Sequence, residues 1–296
     1  MSAHDLGPDI DEALVRRLLA GQFPQWADLA LSQVIPAGTD NALYRLGDHL
    51  TVRLPARLAA AIQAERDQRW LPWLAPKLPL TIPAPIGAGV PAEGYPWAWS
   101  VCPWLPGEDA ATASTLDLNE AAATLARFLV RLQSVDASSG PAAGPMNHSR
   151  GVPLSLLDER VRRDLEFLGK EIDRPAVLAI WRDALAAPSY EGPGSWVHGD
   201  LHPGNLLTRD GRIVGVLDFG LLGVGDPACD LLVAWSLLDA SGRAVFQDVL
   251  RPDAASWSRG RGWAVFNAVI ALAFYLESDT HLCRIGRNTL AELTSN

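Results

Sequence analysis

Lysine is nearly missing from this chain: its 296 residues include two, Lys77 and Lys170, against 23 arginines. Positive charge as a whole is short, with 25 basic residues to 34 acidic ones and a net charge of −9. That balance excludes a general nucleic-acid binder, which would carry a basic patch. Cysteine is limited to Cys102, Cys229 and Cys283. An odd, widely spaced set makes neither a disulfide framework nor a zinc spacing, so a reducing cytosol is expected. The longest apolar run near the C-terminus, AVIALAFYL, is too short to span a bilayer. The N-terminal MSAHDLGPDIDEALVRRLL is acidic and amphipathic and has no secretory leader's basic start, apolar stretch or small-residue cleavage site. A cytoplasmic protein without membrane or nucleic-acid partners is therefore expected. No strand–GxGxxG–helix unit is present, which disfavours a dinucleotide enzyme. No H-E-x-x-H or comparable cluster points to a metal hydrolase.

What is present is an ordinary globular balance, with nearly half the residues apolar and a fifth charged. The length suits one large domain or two lobes with a well-buried core. Residues 9–20 have a helical stripe of Leu14, Leu18 and Leu19, with Asp9 as cap and Gly21 and Pro24 as stops. Residues 42–46 and 50–54 alternate around Gly47-Asp48, a hairpin signal. Residues 57–74 return to helical spacing, with Leu58, Ile62, Glu65 and Arg69 near one face. Short strands are expected around 84–90 and 97–102. From about 117 the reading is mainly helical, over 117–134, 153–169, 173–187, 227–240, 242–250, 260–277 and 285–294. The expected architecture is thus α+β: a small, mostly antiparallel sheet with one crossing helix over 1–103, then a larger helical part over 104–296.

One stretch interrupts the helices. VHGDLHPGNLLTRDGRIVGVLDFG, residues 197–220, places His198, Asp200 and Asn205 among turns. A hairpin turning at Thr208–Gly211 then ends in Asp218-Phe219-Gly220. The ends of such a unit return to one another, so Asp200, Asn205 and Asp218 can converge. Carboxylates and an amide oxygen suit Mg²⁺, a hard cation that binds phosphate oxygens. A carboxylate off the metal can orient a hydroxyl and take its proton. Asp226 before Pro227 reads as a helix cap, and Asp230, one turn on, as a brace for the loop.

The spacing His-x-Asp-x-x-x-x-Asn, then Asp-Phe-Gly thirteen residues after the asparagine, matches the protein-kinase fold. HGDLHPGNLL with LDFG and GDPACDL resembles the aminoglycoside phosphotransferase family, small-molecule kinases with that core. The resemblance is densest over 196–235. It extends loosely through TDNALYRLGDHLTVRLP, WSVCPWLPGE, NHSRGVPLSLLDER and RGRGWA. It implies a bilobal fold with a nucleotide-binding lobe over 1–103 and a helical lobe carrying the catalytic loop and acceptor site over 104–296. It also implies Asp200 as catalytic base, Asn205 and Asp218 as ligands of Mg²⁺, and ATP or GTP as phosphoryl donor. His198 is expected to be a satisfied core histidine; His202 is open between a turn role and a substrate contact.

Three departures qualify the match. Gly199 stands where protein kinases typically carry arginine. Arg53 in LTVRLP stands where the family has a phosphate-binding lysine, with Glu65 its expected partner; arginine remains a bidentate phosphate ligand. The turn AGTDNAL replaces a glycine-rich loop, leaving backbone around Thr39 to Asn41 to meet phosphate. Backbone at Val101 and Cys102 is expected to meet the adenine edge, over a floor of Leu207 and Leu217. Asp226, Glu277 and Asp279, with His281, Asp158 and Glu159, are acceptor-side candidates. Aminoglycoside-type antibiotics, macrolides and small hydroxylated metabolites all fit such a kinase as acceptors. A nucleotide-binding pseudokinase without turnover is the second reading, motivated by Arg53 and the glycine-poor loop.

Overall fold

The computed structural model describes residues 8–35, 40–276 and 281–295. It divides into two compact units, one of residues 1–77 and 81–106, the other of 78–80 and 107–296. Thr39, Glu277 and Asp279 lie outside the described residues.

The first unit opens with α1 (Glu12–Gln22), which runs through Gly21 and ends at the Phe23 cap, just before Pro24. Its cap is Asp11 rather than Asp9, because the Asp11 carboxylate receives the Leu14 N–H at 2.7 Å. Strands β1 (Leu31–Gln33), β2 (Asn41–Leu46), β3 (Leu50–Pro55), β4 (Gly87–Gly89) and β5 (Trp99–Pro103) form an antiparallel sheet in the order β1-β2-β3-β5-β4. The β2–β3 hairpin pairs Leu46 with Leu50 across a turn in which Gly47 takes a positive φ. Leu18, Leu19, Tyr44, Leu46, Val52, Trp99 and Val101 make the buried core. Helix α2 (Leu58–Leu74) buries Ala60, Ala64, Asp67, Leu71 and Leu74. The expected face of Leu58, Ile62, Glu65 and Arg69 is instead the exposed one. The alanine-rich stripe packs inward, and Asp67 rides on it.

The second unit carries β6 (Glu108–Asp109), β7 (Ser195–Val197), β8 (Leu206–Arg209), β9 (Arg212–Val216) and β10 (Gly223–Gly225). They pair as β6-β8-β9 and as β10-β7. The helices are α3 (Leu118–Ser134), α4 (Asp158–Leu168), α5 (Arg174–Ala186), α6 (Val233–Ser236), α7 (Ala240–Leu250), α8 (Ala254–Tyr275) and α9 (His281–Thr294). Helix α8 starts six residues before the expected 260, at an Asp253 cap, and holds Gly260 and Gly262 in its interior. Close approach explains both glycines. A Cβ on Gly260 would stand 2.7 Å from Leu231, and one on Gly262 2.6 Å from Leu154. The helix expected over 227–240 is a 3₁₀ turn, Pro227–Leu232, followed by the short α6. Among the described residues no helix is long and apolar enough to cross a membrane.

Candidate active site

The stretch 197–220 folds as its turn residues dictate. Asp210 and Gly211 both take positive φ and reverse the chain between β8 and β9. The hairpin pairs Leu206 with Val216, and the Leu217 N–H donates to the Asn205 carbonyl at 2.8 Å. Asn205 and Asp218 are thereby set at the same end of one hairpin. Asp218 itself is left-handed (φ 54°, ψ 74°), and its Oδ1 accepts from Gly220 N at 3.2 Å. Gly199 has φ +85°, and a Cβ there would meet the Leu221 carbonyl at 2.6 Å. That conformation and that contact explain why glycine, and not arginine, follows His198.

The loop is braced from beneath. Buried Asp230 accepts the His198 and Gly199 N–H groups at 2.7 and 2.8 Å. Burial pushes its carboxyl up, against His198 and the two backbone donors that favour the ion. His198 is a fully satisfied core histidine, as its setting in the sequence led one to expect. Its Nδ1 accepts from Asp200 N at 3.2 Å and its Nε2 lies 2.8 Å from the Leu217 carbonyl. The ring packs edge-on against Phe219. Asn147, buried in NHSRG, donates to the Arg150 and Leu221 carbonyls and so ties that segment to the turn after Asp218.

Asp200 is the most heavily addressed carboxylate here. Its Oδ1 accepts from Asn267 Nδ2 at 3.1 Å and faces Arg150 at 3.8 Å. Its Oδ2 lies 3.4 Å from both Asn205 Nδ2 and His202 Nε2. Burial alone would push this carboxyl up; His202 and Arg150 reverse the effect and hold it well below the usual carboxylate range. His202 keeps a turn role too, since its Nδ1 accepts from Gly204 N at 3.1 Å. The sequence reading missed Asn267 and the contact of Arg150 with Asp200. Arg150 stands inside the NHSRG segment already singled out, but nothing local marks Asn267.

The donor set suits a hard cation. Asn205 commits its Nδ2 to the Asp200 carbonyl at 2.9 Å, which leaves its Oδ1 without a donor among the described residues. Asp218 Oδ2 likewise receives no described donor, since only Oδ1 is engaged by Gly220. Two such oxygens at one hairpin end are the type of ligand Mg²⁺ takes.

In the first unit Arg53 pairs with buried Asp67 at 3.2 Å, whereas Glu65 faces solvent. The expected Arg53–Glu65 pair is thus corrected to Arg53–Asp67. Val101 sits inside the sheet, opposite Val52 and Gly87, with its carbonyl accepting from Ile86 N. Its backbone is occupied by the sheet, and the open stretch of β5 begins at Cys102, beyond the end of β4. Burial pushes the Cys102 thiol up to about 12, which removes it as a nucleophile. Asn41 begins β2, opposite Pro55. Leu207 lies in β8 and Leu217 just past β9, on paired strands of the second unit.

Of the acceptor-side candidates, Asp226 is withdrawn by its contacts. It is buried, caps Ala228 N, and binds Arg259 Nε at 2.7 Å. Asp158 is engaged by Arg162 and by the Trp181 indole, and Glu159 is exposed on α4. His281 does approach the loop: it stands 3.5 Å from Asp109, and a Cβ on Gly204 would lie 3.2 Å from its Nε2.

The five-stranded antiparallel sheet and the mainly helical second unit give the chain a protein-kinase-like fold. The model of the phosphotransferase enzyme family matches residues 32–264, and the chain belongs to that family. It is 26% identical to an aminoglycoside 3′-phosphotransferase of Escherichia coli over 117 residues. That match takes in 38% of this chain and 42% of the relative, so it spans less than half of the curated protein. The fold is similar to the GDP complex of aminoglycoside 2′-phosphotransferase-IIIa, with a TM-score of 0.70 and 18% identity over 97% of this chain and 99% of that one. It is also similar to a macrolide 2′-phosphotransferase from Brachybacterium faecium, with a TM-score of 0.63 and 22% identity over 97% and 99% of the two chains.

Proposed function

We propose that this protein transfers the γ-phosphoryl group of ATP or GTP to a hydroxyl of a small molecule, an antibiotic of the aminoglycoside or macrolide type being the favoured acceptor. The observation that carries this reading is Asp200: an ionised carboxylate, oriented on both oxygens, beside two donor-free oxygens of Asn205 and Asp218. Asp200 accepts the acceptor hydroxyl's hydrogen bond and takes its proton as the oxygen attacks phosphorus. Asn205 and Asp218 would hold Mg²⁺, which when bound offsets the charge of the nucleotide phosphates. Arg53, held by Asp67, binds phosphate oxygens. Positioning and charge do most of the work in such a transfer. Similarity to aminoglycoside and macrolide phosphotransferases supports the acceptor class. The three buried cysteines, far apart in sequence, support residence in the reducing, nucleotide-rich cytosol.

The test is phosphate transfer from Mg-ATP and Mg-GTP across a panel of aminoglycosides, macrolides and hydroxylated metabolites, with Asp200→Asn beside the wild type. Acceptor-dependent transfer that falls at least ~100-fold in the variant is expected for loss of a general base. Binding of Mg-nucleotide without turnover would leave a pseudokinase. Failure to bind nucleotide at all would refute the nucleotide-site assignment.

A further inference from the structure

We propose that Asn267, in the middle of α8, is a positioning residue of the phosphoryl transfer, acting through Asp200; the inference rests on Asp200 being the base. The two oxygens of Asp200 are held unequally. Oδ1 has the shortest side-chain hydrogen bond, from Asn267 at 3.1 Å, while Oδ2 has only the 3.4 Å contacts with Asn205 and His202. Facing an ionised carboxylate, only the amide NH₂ of Asn267 is compatible with that distance, which fixes its orientation. Oδ2 is therefore the oxygen left for the acceptor hydroxyl. The scaffold suits the task. Gly260 lets α8 close onto Leu231, and the neighbouring Asp230 holds the loop backbone at His198 and Gly199. The elements that fix the loop's backbone thus also fix its reactive side chain.

Arg150 shows what the asparagine prevents. The residue is 8% exposed; its guanidinium lies over the Phe266 ring at 5.0 Å and stays 3.8 Å from Asp200 Oδ1, beyond hydrogen-bond reach. Its Nε has no partner among the described residues. A carboxylate released by Asn267 turns toward those donors and closes a two-bond ion pair, which draws it away from the acceptor.

The experiment compares Asn267→Leu, close in size but without a donor, with Asn267→His, whose Nδ1–H can reach as the asparagine amide does. Phosphate release is followed from Mg-ATP and Mg-GTP with kanamycin, with a macrolide and with water alone, using whichever acceptor the wild type serves fastest. Asn267→Leu is expected to lower kcat about 10- to 100-fold, the scale of a misplaced reacting group. Nucleotide KM and melting temperature should stay near wild type, and Asn267→His should recover much of the loss. An unchanged kcat in Asn267→Leu, or a loss matched by a fall in melting temperature and not relieved by histidine, overturns the inference. Asp200→Asn, run in parallel, separates the two levels. If it loses kcat while Asn267→Leu does not, only the inference fails. If Asp200→Asn keeps its rate, or the wild type turns over no nucleotide, the base reading fails and the inference with it.

Discussion

The Asp226–Arg259 pair offers a sharp test of what holds the helical unit together. Each side chain is 6% exposed, and the guanidinium also donates to the Pro188 carbonyl at 2.6 Å and to Ser256 Oγ at 3.2 Å. Removing the carboxylate leaves a buried cation without its partner, a loss of about 3–5 kcal/mol. Asp226→Ala adds the loss of the cap on Ala228, about 1 kcal/mol. For a unit of this size each kcal/mol moves the melting temperature by about 2–4 °C, so Asp226→Ala should lower it by roughly 8–24 °C. Asp226→Asn keeps volume and a cap oxygen and isolates the ionic part. Calorimetry or circular dichroism of Asp226→Asn, Arg259→Met and the double variant closes the cycle. The double variant should lose clearly less than the two single losses added together, because replacing both charged partners strands neither charge. Additivity within about 0.5 kcal/mol would refute the pair as an energetic unit. A raised acceptor KM in Asp226→Asn at an unchanged melting temperature would return Asp226 to the acceptor site.

Two further outcomes are expected. Asp67→Asn should raise the nucleotide KM severalfold by freeing Arg53, while Glu65→Gln leaves it within about twofold, as surface substitutions usually do; steady-state kinetics with both variants checks this, and an equal effect would restore Glu65. The Asp253 cap of α8 has its carboxyl held below the ordinary value, first by the backbone hydrogen bond from Ser256. A depressed folded-state value means that its stabilisation is present above the unfolded aspartate value, about 3.9, and is lost as pH falls below it. Melting curves between pH 5 and 3 should therefore fall less steeply for Asp253→Asn than for the wild type, and identical slopes would remove Asp253 from the acid response.

Local chemistry explains why some of this molecule could be read from its residues and some could not. The hairpin within 197–220 was legible because Asp210-Gly211 is a strong turn signal and its strands bring Asn205 and Asp218 to one end. The α2 face was misread because size misled: Leu58 and Ile62 are larger than the alanines, yet the slim alanine stripe packs inward. That rotation moved the partner of Arg53 from Glu65 to Asp67, two positions along the same helix. Helix α8 begins six residues earlier than expected, at the Asp253 cap, and its Gly260 and Gly262 are held in the helix where Leu231 and Leu154 occupy the space their side chains would need. Strands β6, β7 and β10 are two or three residues long, too short for alternation to show. The meeting of Arg150, Asp200 and Asn267 joins three distant segments, and no periodicity or spacing encodes such a contact.

The buried thiols have a practical side. Cys102, Cys229 and Cys283 are all buried, and burial raises the first two far from the thiolate form. A maleimide added to the folded protein should meet no reactive native sulfur. A cysteine introduced at exposed Glu159 on α4, or at exposed Glu65 on α2, would then be the single labelled site, and a fluorophore or spin label could be attached without first stripping the chain of its own cysteines.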